Sequence, residues 1–297
     1  MTEPKYLTGA ALIDSFEYDV WHGEAPERWP LGPGELARHI DFGPGELIVI
    51  GGAPGAGKTS FATAAILDAV RTMPALRAVI ANVEMTPGAL LNRQLARLSG
   101  MPLEKIQNRE AHTLGAFGKD RIRDGLELLR GCLDRVAFLE APFNLEHLAA
   151  AADAFGARCL LIDYLQRFAP STEAISQRES IEALMNALRK MTHAGAGVIG
   201  LSAVARQKGN GGSDYSGLGL ASFRGSSELE FAADSCYTLA PEGDSPSLVT
   251  LKSHKRRNGE TRDIALRFER AYQRFLPVTT NTATLEPEGI YEDEEPF

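Results

Sequence analysis

The apolar run Leu47-Ile48-Val49-Ile50-Gly51 stops at Gly52-Ala53-Pro54-Gly55-Ala56-Gly57-Lys58-Thr59, and a helical pattern from Lys58 to Val70 follows without a gap. The octapeptide fits G-x-x-x-x-G-K-[ST] in full, and a strand before it and a helix behind it are the context that this motif needs. Its glycines let successive backbone N–H groups turn inward around a β-phosphate, while the helix start adds the positive end of its dipole. We therefore assign Gly52, Pro54, Gly55, Ala56, Gly57, Lys58, Thr59 and Ser60 to nucleotide binding. In this assignment Lys58 is a point charge on the β- and γ-phosphates, and the Thr59 hydroxyl is a ligand for Mg²⁺. The expected cofactors are a nucleoside triphosphate, taken to be ATP, and Mg²⁺.

Further short apolar runs, AVIANV (78–83), VAFLE (136–140), CLLID (159–163) and GVIGLS (197–202), read as buried strands. The stretches between them carry helical spacing, most clearly Ile181, Leu184, Met185, Leu188 and Met191 behind a capping box that starts at Ser176 and closes at Glu179. Such alternation predicts an α/β domain with a mainly parallel central sheet flanked by helices. Late in the chain SLVTLKS (247–253) and DIALRF (263–268) flank a polar turn and predict a C-terminal β-hairpin. The expected division is an N-terminal arm over 1–45, one domain over 46–276 and an acidic tail over 277–297. The arm has a weakly amphipathic stretch from Leu7 to Val20, which packs either on its own subunit or on a neighbour.

A phosphate cradle of this kind needs a second metal anchor at the end of a neighbouring strand. Asp163 closes CLLID and fits that place; capping the next element is the alternative. Hydrolysis further needs a group that orients or deprotonates water. Glu84 follows Thr59 by 25 residues at the end of AVIANV and would face the same sheet edge, unless it is an ordinary solvated strand-end acid.

The formal net charge is −8, which argues against a broad basic face for nucleic acid. However, Glu286, Glu288, Glu292, Asp293, Glu294 and Glu295 crowd the end of the chain, and without them the charge is −2. That tail is read as a solvated, disordered acidic segment; a mimic of nucleic-acid phosphate is the alternative. Three scattered cysteines (Cys132, Cys159 and Cys236) suggest packing thiols in a reducing, cytoplasmic setting. No apolar run reaches the roughly 18 residues of a membrane span. Between Arg206 and Arg224 lies a long Gly/Ser-rich stretch whose Arg206, Lys208 and Arg224 suit tracking of single-stranded phosphates, with a plain flexible connection as the alternative.

Taken together, the segments resemble the C-terminal, RecA-like motor domain of DnaB-type hexameric replicative helicases from about Gly43 to Phe275. GELIVIGGAPGAGKTSFA resembles the family's P-loop unit, and LLIDYLQ its Walker B strand. NVEMTPGALLNRQLARLSG is similar to the segment in which the family carries its catalytic glutamate before a Met, here Glu84-Met85. LASFRGSSELEFAAD resembles the central loop that grips single-stranded DNA, with the match on Arg224, Gly225 and Ser227. Lys255-Arg256-Arg257-Asn258-Gly259 is similar to the K-x-R-N-G hairpin, which implies that Lys255 and Arg257 reach a neighbouring subunit's nucleotide. The resemblance implies an ATP-dependent helicase or translocase working on single-stranded DNA as a homo-oligomeric, hexameric ring, with a loader or replication-initiation protein as a partner.

Two departures stand out. Only about 45 residues precede the first core strand, in place of the helical N-terminal domain that such helicases carry. The strand after Walker B continues as Ser202-Ala203, whereas the family has Ser-Gln with a γ-phosphate-sensing glutamine. An alanine side chain offers no hydrogen bond, so a RecA-like regulatory or assembly ATPase that unwinds nothing is the competing expectation.

Overall fold

The computed structural model of the chain describes residues 6–32, 36, 40–168, 176–204, 207–209, 212–214, 226–242 and 247–278. The helix α1 (Gly9–His22) comes first, followed by a small ribbon of β1 (Trp29–Pro30) and β2 (Asp41–Phe42). Then come β3 (Leu47–Gly52), α2 (Lys58–Thr72), β4 (Ala78–Asn82), α3 (Pro87–Ser99), α4 (Leu103–Gln107), α5 (Ala116–Leu133) and β5 (Val136–Phe138). The chain continues through α6 (Leu145–Phe155), β6 (Cys159–Asp163), α7 (Leu165–Phe168), α8 (Gln177–His193) and β7 (Gly197–Leu201). A second ribbon, β8 (Gln207–Gly209) with β9 (Gly212–Asp214), leads to α9 (Ser226–Ala232). The last elements are β10 (Ser235–Pro241), β11 (Leu248–Arg256), β12 (Ile264–Glu269) and β13 (Arg274–Pro277).

Among the described residues, nine strands form the central sheet in the order β13-β12-β11-β10-β3-β7-β6-β4-β5. From β10 to β5 all neighbours run parallel, and β11, β12 and β13 are added antiparallel. The expected hairpin is present as β11 and β12, with β13 as a third strand. Side-chain alternation sets the two faces. Ile48 and Ile50 of β3 point to a cluster with Phe61 and Ile66 of α2, whereas Leu47 and Val49 point to one with Leu184 and Leu188 of α8. The helix α2 is buried from Ser60 to Val70, and its buried Asp68 is paired with Arg97 of α3 at 2.9 Å. The helix α8 starts at the capping box, where the Ser176 side chain accepts from Glu179 N and the Glu179 carboxylate accepts from Ser176 N.

The N-terminal segment divides in a way that its Pro, Gly and charge content concealed. All of α1 is solvent-exposed and makes no core contact among the described residues. By contrast Trp29, Leu31 and Phe42 have 0% exposure and belong to the α2 side of the core. Trp29 meets Phe42 edge-on at 5.2 Å, and a Cβ on Gly197 would come within 2.4 Å of its ring. Trp29→Ala should therefore cost about 3–5 kcal/mol, the usual result of emptying so large a site. A chemical denaturation midpoint shared with the wild type would show that this segment lies outside the core.

Candidate functional site

The residues of the P-loop motif curl at the C-terminal edge of β3, and their backbone demands glycine at several points. Gly57 caps α2 with φ 90°, and a Cβ there would lie 2.7 Å from Phe275 and 2.9 Å from Phe268. Those two rings stack at 4.4 Å, and Phe61 meets Phe275 edge-on. The antiparallel strands thus form one wall of the phosphate cradle. Their turn also reaches in: Arg270 Nη1 donates to Gly55 O at 2.6 Å, and Ser60 Oγ donates to Gln273 Oε1 at 2.6 Å.

A cleft of about 450 Å³ opens above the loop, lined among others by Lys58, Thr59, Glu84, Arg93 and Asp163. Lys58 Nζ folds back onto the carbonyls of Gly52 at 2.7 Å and Ala53 at 3.1 Å. Burial pushes the pKa of Lys58 below its ordinary value, against the pull of Asp163 and Glu84. Burial pushes the Asp163 carboxyl up, with Glu84 adding to the effect, while Thr59, Lys58 and Asn82 oppose it. Each charge sits where water solvates it poorly, so a polyphosphate with a cation would relieve both.

Thr59 Oγ1 donates to Asp163 Oδ2 at 2.6 Å, and Asn82 Nδ2 reaches the same oxygen at 2.7 Å. One hydroxyl and one carboxylate at the cradle's edge are the hard-oxygen donors Mg²⁺ takes beside substrate phosphates and water, so these residues fit the ion. Glu84 lies just past the end of β4, exposed at the cleft. Asn82 fixes that bend, because its Oδ1 accepts from Glu84 N at 3.0 Å and Met85 N at 2.7 Å. Ala203 also lines the cleft, and its N–H donates to Gln166 Oε1 at 3.3 Å.

Arg93 was not singled out by the sequence reading. It projects from α3, its Nη1 approaches Ser60 Oγ at 3.4 Å, and its buried Nε has no hydrogen-bond partner among the described residues. Burial lowers its pKa while Asp163 raises it. A half-satisfied guanidinium on the wall of a phosphate cradle points to an anion. Its only sequence signal is position, an arginine on the helix directly after Glu84. Asn82 and Gln273 had none, since their roles arise from long-range contacts.

The remaining predicted residues lie elsewhere. β10 pairs with both β3 and β11: Leu239 stands opposite Gly52, whereas Ser235 stands opposite Ile48 and Arg256. Lys255 and Arg257 are therefore near the opposite edge of the sheet, displaced by roughly 13 Å along the strands from their own P-loop. Arg257 Nη1 pairs there with Asp234 at 2.8 Å. Lys208 falls on β8 and Ser227 in the first turn of α9. Arg206, Arg224, Gly225 and the tail beyond Val278 lie outside the described residues.

Comparison with known proteins agrees with this architecture. Residues 38–277 match the family model of the DnaB-like helicase C-terminal domain. No curated protein matches the sequence. Among solved structures the fold is similar to one described as an ATPase domain, at TM-score 0.76 and 20% identity over 91% of this chain and 98% of that one. It is also similar to a DnaB-like replicative helicase whose structure was described with its primase interactions, at TM-score 0.77 and 20% identity over 91% of this chain and 68% of that one. A KaiC-like protein from Pyrococcus horikoshii OT3 is more distant, at TM-score 0.57 and 14% identity over 86% of this chain and 100% of that one.

Proposed function

The chain belongs to the DnaB-like helicase C-terminal domain family and is thus a helicase-type P-loop ATPase domain; from that premise we propose that it is a ring-forming motor that hydrolyses ATP between subunits and moves along single-stranded DNA. The observation that carries this reading is the division of the site. Lys58, Thr59, Glu84, Arg93 and Asp163 share one cleft, while Lys255 and Arg257 lie near the opposite sheet edge. A cation placed there serves a nucleotide on another subunit.

In this reading the P-loop and Lys58 bind the β- and γ-phosphates, and Arg93 adds a second cation from the same subunit. Thr59 and Asp163 would hold Mg²⁺, which spreads and neutralises phosphate charge when bound. Glu84 orients or deprotonates the attacking water, and its exposure at the cleft mouth suits access by solvent. Arg257 of the adjoining subunit stabilises charge on the transferred phosphoryl group, so turnover reports the neighbour's position. Glu84→Gln should keep affinity for a non-hydrolysable ATP analogue while hydrolysis falls by about 10²–10⁴-fold. Loss of binding in that variant would mark Glu84 as structural.

Exposed Leu12, Ile13, Phe16 and Trp21 on α1 offer apolar surface that a second copy would cover. The motor body in this proposal starts at Trp29 instead of residue 46. The stretch from Arg206 to Ser227, with Lys208 on its ribbon, is assigned to the DNA strand.

Ala203, with no side-chain amide to offer the γ-phosphate, favours the second reading of a regulatory or assembly ATPase. ATPase rate with and without a single-stranded oligonucleotide, beside unwinding of a forked duplex, separates the two. The motor reading predicts stimulation and unwinding; absence of both supports the switch.

A further inference from the structure

The arginine assigned to the neighbour's nucleotide stands between two residues that are tied down. Arg256 Nη2 meets Asp41 Oδ1 at 3.2 Å, and Asn258 Nδ2 donates to Glu46 Oε1 at 3.1 Å. Arg257 itself turns to Asp234 Oδ1 at 2.8 Å, with a side chain 58% exposed. Lys255 turns the same way, its Nζ donating at 2.7 Å to the carbonyl of Ala233, the residue before Asp234. Such alternation is that of an extended chain, with 256 and 258 on one side and 255 and 257 on the other.

Both anchors end on one cluster of charge. Arg28, just before β1, donates to Asp41 of β2 at 2.8 Å and to both oxygens of the Glu46 carboxylate at 2.7 and 3.3 Å. Glu46 stands directly before β3 and also accepts from Gly43 N at 3.2 Å. A guanidinium bound in this forked way fixes orientation as well as distance. Burial pushes the Asp41 carboxyl up, but Arg28 and Arg256 hold it below its ordinary value, so the carboxylate stays charged. Trp29 and Phe42, the chain neighbours of Arg28 and Asp41, are buried in the core at 0% exposure. The cluster is therefore seated on the packed body, and Arg28 lines no part of the nucleotide cleft.

We propose that Arg28, Asp41 and Glu46 form a rigid mount for the turn after β11, which through Arg256 and Asn258 fixes the direction in which Arg257 is presented to the next subunit's nucleotide. The proposal rests on the reading above, in which the site is shared between subunits. Arg28 is a positioning residue in this scheme, acting through the hairpin. Without its charge the Asp41 and Glu46 carboxylates face each other across the centre of the mount, and the base of the turn loses its fixed seat.

The test is basal ATP hydrolysis by the full chain, alone and in mixtures, for Arg28→Met and for the double variant Arg256→Ala with Asn258→Ala. The double variant leaves Arg28, Asp41 and Glu46 paired, so it decides the matter if the first does not fold. Alone, each should hydrolyse ATP about 10- to 100-fold more slowly than wild type, the scale on which a small misplacement acts, with unchanged affinity for a non-hydrolysable analogue. Mixed with Lys58→Ala chains, which carry Arg257 on an intact hairpin, either variant should regain activity through its own P-loop. Mixed with Arg257→Ala chains it should not. A merely structural role would spoil P-loop and hairpin alike and recover in neither mixture. That result, recovery in both mixtures, or folded variants with wild-type rates overturns the mount. Failure of Lys58→Ala and Arg257→Ala chains to restore each other is a different result: it overturns the shared site, and the mount with it.

Discussion

Replacing Lys58 by alanine is expected to lower ATP turnover by about 10²–10³-fold or more, the scale on which single transition-state donors act, with the folded body intact. Lys58 opens α2 at the loop and already bonds two loop carbonyls, so its ammonium waits where the phosphates would lie. Its burial makes the charge poorly solvated, which strengthens the interaction with a polyanion. The Gly52 and Ala53 carbonyls would turn to solvent in the variant, so far-UV circular dichroism and the unfolding midpoint should barely change. Steady-state hydrolysis and binding of a labelled nucleotide are the measurements. Retained turnover would place the chemistry elsewhere.

Arg257→Ala should lower turnover in the assembled protein by about 10³–10⁵-fold, the effect of removing an arginine finger, and leave nucleotide affinity of the isolated subunit unchanged. The second half follows from the register, since the Arg256 end of β11 is level with Ile48 and not with Gly52. An arginine acting inside its own site would weaken binding as well as catalysis. The variant removes an exposed guanidinium from a buried aspartate that Arg189 and Leu47 N still hold, so its stability should stay near wild type. Single-turnover hydrolysis beside equilibrium binding distinguishes these outcomes.

Local pattern carried far in this chain. The P-loop, the strand ending at Asp163 and the capping box at Ser176 are each written in a few adjacent residues, and all three fold as their pattern dictates. Where the reading fell short, the determinants were distant. Trp29, Leu31 and Phe42 are single apolar residues among prolines, glycines and charges, with no period to announce them, yet they complete the core against α2. β10 lies between β3 and β11 in the middle of the sheet, but SCYTLAP has no alternation that marks a central strand. Within the cleft, Arg93, Asn82 and Gln273 gain their places only when α3, β4 and the last antiparallel turn converge. The location of Lys255 and Arg257 relative to their own P-loop was equally hidden, because it depends on two strand registers.

The claim that one site is built from two subunits is tested most directly by mixing. Lys58→Ala and Arg257→Ala chains are each expected to be inactive alone. Assembled together, an Arg257→Ala subunit still offers an intact P-loop and a Lys58→Ala subunit an intact finger. Random assortment then gives roughly a quarter of the interfaces both parts. Basal hydrolysis, measured without DNA so that each interface turns over by itself, should return in the mixture in proportion. A mixture as inactive as its two parents would contradict a site shared between subunits.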